Sequence, residues 1–179
     1  MSKTIKQIWN WVSTILVGIV VLLAVALVGV RVIGLQPFVV LSGSMEPTYH
    51  VGSLIYVKDV DYRTLEVGDP ITYMISQDTV VTHRIVEVLP DESEPDTLWF
   101  ATKGDANSTP DSSAVHYKNV IGKPVFSIPY LGYVSHYIQN PPGKYLAISG
   151  GALLLLLVFL PDLFAEEKDS NKKKEKQEV

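Results

Sequence analysis

Apolar and polar positions follow different rhythms in different parts of this chain. "WVSTILVGIVVLLAVALVGV", Trp11 to Val30, runs without a charge. That is about the 20 apolar residues a helix needs to cross hydrocarbon. Trp9 and Trp11 stand at one border, as interfacial anchors do. A buried core helix and a cleavable signal peptide are the alternatives. A signal peptide has a shorter apolar region and a small-residue cleavage site behind it. Here Arg31 to Pro37 follow without an Ala-x-Ala pattern. The pattern predicts a retained transmembrane helix over 11–33. A second apolar run, "YLAISGGALLLLLVFL", begins at Tyr145 after the break "QNPPGK". Carried to Phe164 it reaches a full span, so a second transmembrane helix is expected over 145–164, with a buried helix as the alternative.

Between these runs the rhythm changes. "SLIYVKDV" and "DPITYMI" alternate or run apolar, "TVVTHRIVEVL" is rich in β-branched residues, and "TLWFATKG" is another short strand. Pro and Gly in "VIGKPVFSIPYLGYV" break any helix there. Turn signals recur in "VGDP", "SQD", "PDESEPD" and "GDANSTPDSS". Short strands at this spacing predict an antiparallel sheet or barrel-like domain. Helix is expected only in the anchors and in a short piece near "LGYVSHYIQN". The fold class is thus mainly β, an antiparallel β domain flanked by N- and C-terminal transmembrane helices.

Composition and charge add the topology. Apolar residues make up 47% of the 179 positions and the net charge is −4, with a mean hydropathy of +0.20. The excess sits in the two apolar runs, and nothing in the charge points to nucleic acid. Cysteine is absent, which excludes disulfides, thiolate metal sites and cysteine nucleophiles. Lys3 and Lys6 precede the first run; Lys168, Lys172, Lys173, Lys174 and Lys176 follow the second. Lysines on these flanks make both ends cytoplasmic. The expected plan is an N-tail over 1–10, the first span, an extracytoplasmic domain over 36–140, the second span, and a mixed-charge tail over 165–179. The protein is then a multi-pass protein of the cell membrane.

The candidate chemistry lies in the central domain. Of the four histidines, His50 and His116 sit in turn-like contexts and His136 precedes the second run. None forms an HExxH or H-x-H metal pattern. His83 differs, because it interrupts the apolar run "VVTHRIVEV". By spacing alone it is a strand residue facing water; buried, it would need partners. Asp105 and Asp111 lie in "KGDANSTPDSS", and Asp69 in "VGDP"; acids there commonly make turn hydrogen bonds. Ser42 and Ser44 flank Gly43. A serine hydroxyl becomes a nucleophile only when a base takes its proton. Gly43 would allow a close turn in which a hydroxyl and a backbone N–H point at one spot, as in an oxyanion hole. Composition and spacing alone stop at a membrane-anchored β domain with a candidate Ser-His-Asp set.

The ordered set goes further. An anchor, then "SGSMEPT", "VGDPITY", "VTHRI" and "TKGDAN" resembles type I signal peptidases, over about residues 10 to 135. His83 with Arg84 in the base strand resembles the archaeal and endoplasmic-reticulum branch rather than the lysine-dependent one. Lys58 and Lys103, the rival bases, lie outside that motif. The resemblance implies the β-rich signal-peptidase fold, Ser44 as nucleophile and His83 as general base. It matches two acids, Asp111 as the residue orienting His83 and Asp105 as a second catalytic acid or a loop holder. It adds Ser42 with the Ser44 N–H as the oxyanion hole, and implies no metal or organic cofactor. The implied activity is removal of N-terminal signal peptides after small residues of the Ala-x-Ala type. The implied partners are signal-peptide-bearing precursors and the lipid bilayer, with a secretion translocon allowed and no nucleic acid. A non-catalytic anchored scaffold or inactive relative is the alternative. A self-cleaving regulator fits less well, given two anchors and histidine where lysine would stand. Asn107-Ser-Thr matches a glycosylation acceptor, though a glycan there would crowd Asp105 and Asp111.

From Leu35 to Ser44 is nine residues, at most roughly 30 Å of extended chain. The candidate nucleophile is therefore tethered near the outer membrane face.

Overall fold

A computed structural model describes residues 3–91, 93–94, 96–156 and 158. By contact density the described residues of Met1–Val21 and Tyr137–Val179 cluster as one unit and Leu22–His136 as another.

Helix α1, Lys3–Leu27, whose residues up to Val21 belong to the first unit, starts earlier and ends sooner than the expected span. Its stretch Gln7–Leu27 is the one helix among the described residues long and apolar enough to cross a membrane. The chain then makes a 3-10 turn at Gly29–Ile33. The second apolar helix, Gly143–Leu156, is shorter than a span within the described residues. Most of the remainder of the expected 145–164 segment, and the whole 165–179 tail with its lysines, lie outside them.

The second unit is a sheet of seven strands: β1 (Leu35–Val39), β2 (Leu54–Lys58), β3 (Pro70–Ser76), β4 (Thr79–Pro90), β5 (Leu98–Lys103), β6 (Val115–His116) and β7 (Val120–Ile128). Their order is β1-β2-β7-β3-β4-β5-β6, and every neighbouring pair is antiparallel. The alternating and β-branched runs became β2 to β5. β1, β6 and β7 were not named as strands: β1 contains Pro37, β6 has two residues, and β7 falls in the Pro- and Gly-bearing "VIGKPVFSIPYLGYV". The short helix α2, Leu131–Gln139, falls where "LGYVSHYIQN" predicted it.

β7 serves two neighbours. Val120 and Gly122 pair with β3, and the chain from Lys123 onward pairs with β2. The crossing lies at Gly122, where φ is +153 and a Cβ would stand 2.1 Å from the Lys58 carbonyl oxygen. Only glycine tolerates that approach.

Two apolar clusters hold the domain. Leu65, Ile71, Tyr73, Ile85, Phe100 and Val115 form one, and Leu35, Leu54 and Tyr56 form the other. Burying a side chain of this size contributes about 1.5–3 kcal/mol, so both β3 and β4 are firmly seated. β1 and β4 stand four strands apart in the order, which would be about 19 Å in a flat sheet. Both nevertheless line one groove of about 400 Å³. The sheet is therefore strongly coiled, as twisted strands allow.

Candidate active site

Period two along β4 decides where its polar residues go. Successive strand side chains point to opposite faces. His83 shares the inward face with Ile85 and is 8% exposed; Arg84 takes the other face. The spacing-only reading of a histidine facing water is corrected here. Burial is tolerated because His83 has a partner: its Nδ1 lies 2.6 Å from Asp111 Oδ2. A carboxylate only accepts, so Nδ1 carries a proton, and in the neutral ring the lone pair is on Nε2. The Tyr73 ring meets the imidazole edge-on, centroids 6.5 Å apart.

Asp111 is the hub of this half of the site. Its Oδ2 also accepts from Thr102 Oγ1 at 2.6 Å and from Tyr73 OH at 3.1 Å. Its own N–H donates to the Thr102 carbonyl at 2.8 Å, fastening the loop back onto β5. Burial by itself would raise the Asp111 pKa. The bond from Thr102, the bond and charge from His83, and the bond from Tyr73 outweigh it and hold the carboxyl below its usual value. The Tyr73 hydroxyl moves the opposite way. Burial, opposed by its bond to Thr102 and reinforced by the Asp111 charge, pushes it up to about 12. It stays a neutral donor.

Asp105, six residues earlier, has other partners. Arg84 grips it with two parallel bonds, Nε to Oδ1 at 2.8 Å and Nη2 to Oδ2 at 2.6 Å. Thr48 Oγ1 donates to the same carboxylate at 2.5 Å. These Arg84 bonds lower the Asp105 pKa against a smaller opposing effect of burial, with help from Thr48. Nothing links Asp105 to His83 among the described residues' hydrogen bonds. The loop-holding alternative describes its geometry; a direct contact with the histidine does not.

Ser44 sits in a single 3-10 turn, Gly43–Met45, anchored by Met45, which is 2% exposed. The turn lies against β4. The Ser44 hydroxyl is 3.3 Å from that of Ser42, and among the described residues no hydrogen bond joins it to His83. Such catalytic bonds often tighten only with substrate in place. Gly43 does not need its freedom: its φ is ordinary, and a Cβ would meet Glu46 Cγ at 3.5 Å. The demanding glycine is Gly104. A Cβ there would lie 2.5 Å from the Ser44 carbonyl oxygen, and Ala106 N–H donates to that oxygen at 2.9 Å. The motif "TKGDAN" contained this glycine, but its closeness to Ser44 had no signal in the sequence.

The remaining candidates lie elsewhere. His50 Nδ1 pairs with Glu46 Oε2 at 2.5 Å on the surface. His116 Nδ1 accepts from Lys118 N–H at 3.2 Å and packs against Trp99 and Tyr117, and His136 belongs to α2. Asp69 accepts from Glu66 N–H at 3.2 Å, as a turn residue does, and pairs with Lys123. Lys58 and Lys103 end β2 and β5. The groove joins Ser42 and Ser44 to apolar walls: Phe38 of β1, the adjoining Val40, Met45, and Val80 and Val81 of β4.

A family profile described as "Signal peptidase, peptidase S26" matches residues 8–128. The chain is 41% identical over 123 residues to "Signal peptidase I W" of Bacillus subtilis (strain 168), across 64% of this chain and 63% of that protein. It is 31% identical over 128 residues to "Signal peptidase complex catalytic subunit SEC11C" of Homo sapiens and of Mus musculus, across 65% of this chain and 66% of each relative. The match thus spans just under two thirds of the length of these relatives.

Proposed function

The chain belongs to the signal peptidase S26 family, and from that premise we propose that it is a membrane-bound serine endopeptidase removing N-terminal signal peptides from secreted precursors. The observation that carries the reading is the part-buried pairing of His83, on the strand beside the Ser44 turn, with Asp111 of the loop after β5.

In the proposed mechanism His83 Nε2 takes the proton from Ser44 Oγ as that oxygen attacks the scissile carbonyl carbon. The imidazolium is stabilised by the Asp111 carboxylate, which remains ionised. The Ser44 N–H and the Ser42 hydroxyl bind the oxyanion. His83 then gives its proton to the leaving amine, and the C–N bond breaks. Water attacks the acyl ester by the same route in reverse, giving back Ser44 and the new carboxylate end. Asp111, rather than Asp105, orients the histidine. The apolar walls of the groove favour small side chains next to the cut, and a bound peptide would lie extended along β1, the edge strand that lines the groove.

The topology proposed with this function has 36–140 outside the cytoplasm, one span at α1 and a second at 145–164. The short tether from Leu35 supports cleavage close to the bilayer, where signal peptides present their ends. The description of the SEC11C relatives as catalytic subunits of a signal peptidase complex extends the proposal to partner subunits.

The test is cleavage of a secretory precursor by the full chain in detergent, with Ser44→Ala and His83→Ala beside it. Both variants are expected to lose at least about 10⁴-fold in kcat. Equal cutting by all three proteins, or none by any under conditions where a known signal peptidase cuts, overturns the catalytic assignment. A flat profile from about pH 5 to 8 counts against a histidine base.

A further inference from the structure

Arg84 has no part in the mechanism above, yet it makes the densest set of polar contacts near it. Besides its fork on Asp105, its Nη1 donates to the Gly68 carbonyl at 2.7 Å, and Nη2 lies 3.4 Å from Thr48 Oγ1. Four segments therefore meet at one guanidinium–carboxylate pair: β4, the loop before β3, the chain four residues past Ser44, and the 104–107 turn. That last turn holds the nucleophile directly, through Ala106 N–H on the Ser44 carbonyl and through the close passage of Gly104.

The physical need for such a grip is plain. The Ser44 turn contains one internal bond, Glu46 N–H to the Gly43 carbonyl at 3.1 Å. A lone 3-10 turn has poor hydrogen-bond geometry and little stability of its own. β4, in contrast, is laddered on both sides. Nucleophile and base are thus carried by elements of unequal rigidity, and their separation must be set from outside the turn. A bidentate Arg–carboxylate pair is suited to that because its planar fork fixes direction as well as distance.

Resting on the peptidase reading, we propose that Arg84 and Asp105 form a positioning clasp that sets the Ser44 turn against the His83 strand. The two acids then divide the work. Asp111 orients the base, and Asp105, through Arg84, Thr48 and the 104–107 turn, positions the nucleophile. Arg84 is a positioning residue; neither it nor Asp105 lines the groove beside Ser44.

The experiment compares the full chain in detergent with Arg84→Gln, Arg84→Lys, Asp105→Asn, Thr48→Val and the double variant Arg84→Gln/Asp105→Asn. The substrate is a quenched fluorescent peptide with alanines one and three residues before the cut. A displacement near 1 Å costs on the order of 10²-fold. Arg84→Gln and Asp105→Asn should each lose about that in kcat, with KM within about threefold. The pH profile should keep its wild-type shape, because the His83–Asp111 pair is untouched. The double variant should lose no more than the worse single one, as expected for two halves of one device. Arg84→Lys should recover part of the rate, and Thr48→Val should lose less. Wild-type kcat in Arg84→Gln, a loss confined to KM, a shifted pH profile, or losses that multiply in the double variant would each overturn the clasp. If Arg84→Gln shows no cooperative melt, the milder Arg84→Lys and Thr48→Val variants decide by the same criteria. A wild type no faster than Ser44→Ala overturns the peptidase reading itself, whereas an active wild type with an equally active Arg84→Gln overturns the clasp alone.

Discussion

Asp105 and Asp111 share one loop and one kind of side chain, yet β4 meets them from opposite faces. Asp111 lies on the inward side, where one oxygen takes bonds from His83, Thr102 and Tyr73. Asp105 lies on the other side, held by a guanidinium and a threonine hydroxyl. Both carboxyls are held below their usual pKa, for different reasons: hydrogen bonds overcoming burial at Asp111, and the Arg84 fork at Asp105. A lowered pKa therefore does not say which acid serves a base. The partner does, and the partner follows from the parity of positions 83 and 84 on a strand.

The sharpest way to break this comparison is Asp111→Asn. An amide in place of the carboxylate can present the wrong group to Nδ1 and leave the imidazole in the wrong tautomer, an effect of about 10⁴-fold in kcat. Kinetics across pH would read it, since the profile should change shape here and not in Asp105→Asn. An unchanged profile in Asp111→Asn would reverse the roles of the two acids.

Gly104→Ala probes the nucleophile's side without altering any charge. Its new Cβ would press on the Ser44 carbonyl oxygen, backbone that cannot swing away as a side-chain end would. About a 10²-fold fall in kcat is expected, with the Asp111 side intact and the pH profile unmoved. Near-normal turnover would mean that the Ser44 turn tolerates displacement.

Tyr73→Phe is gentler. It removes one of three donors on Asp111 Oδ2 and keeps the ring packing, and should cost about tenfold or less in kcat.

The smallest effect concerns stability. Both carboxyls titrate below the ordinary 3.8 in the folded protein, so the unfolded chain binds more protons in that window. Their contribution is complete above about pH 3.8 and is lost as pH falls through the folded values. Asp105→Asn should therefore flatten part of the fall in Tm as pH drops below about 4. A melting curve as steep as the wild type's in that range would show that Asp105 contributes nothing there.

The legibility of this protein was uneven for physical reasons. Strands β2 to β5 announced themselves because half-buried strands need alternation or β-branched runs. β1 and β6 did not: one carries a proline and the other is two residues long, and both depend on pairing with distant partners. His83 was visible as a polar residue in an apolar run, but its burial was not, since a strand pattern marks two faces without saying which is inward. Gly43 drew attention because it lies between two serines; Gly104 is the one whose missing side chain matters. The difference is a contact sixty residues apart in the chain.

The sequence by itself determined the elements: an apolar helix long enough to span, a run of short strands, and an ordered set of motifs carrying Ser44, His83 and two acids. Those depend on hydropathy, local propensity and spacing, which a chain displays along its length. Only the tertiary structure decided the partners: which acid meets His83, what Arg84 holds, and what fixes Ser44. The coiling of the sheet, its register and the path of one loop set those distances, and they come from packing the whole domain at once.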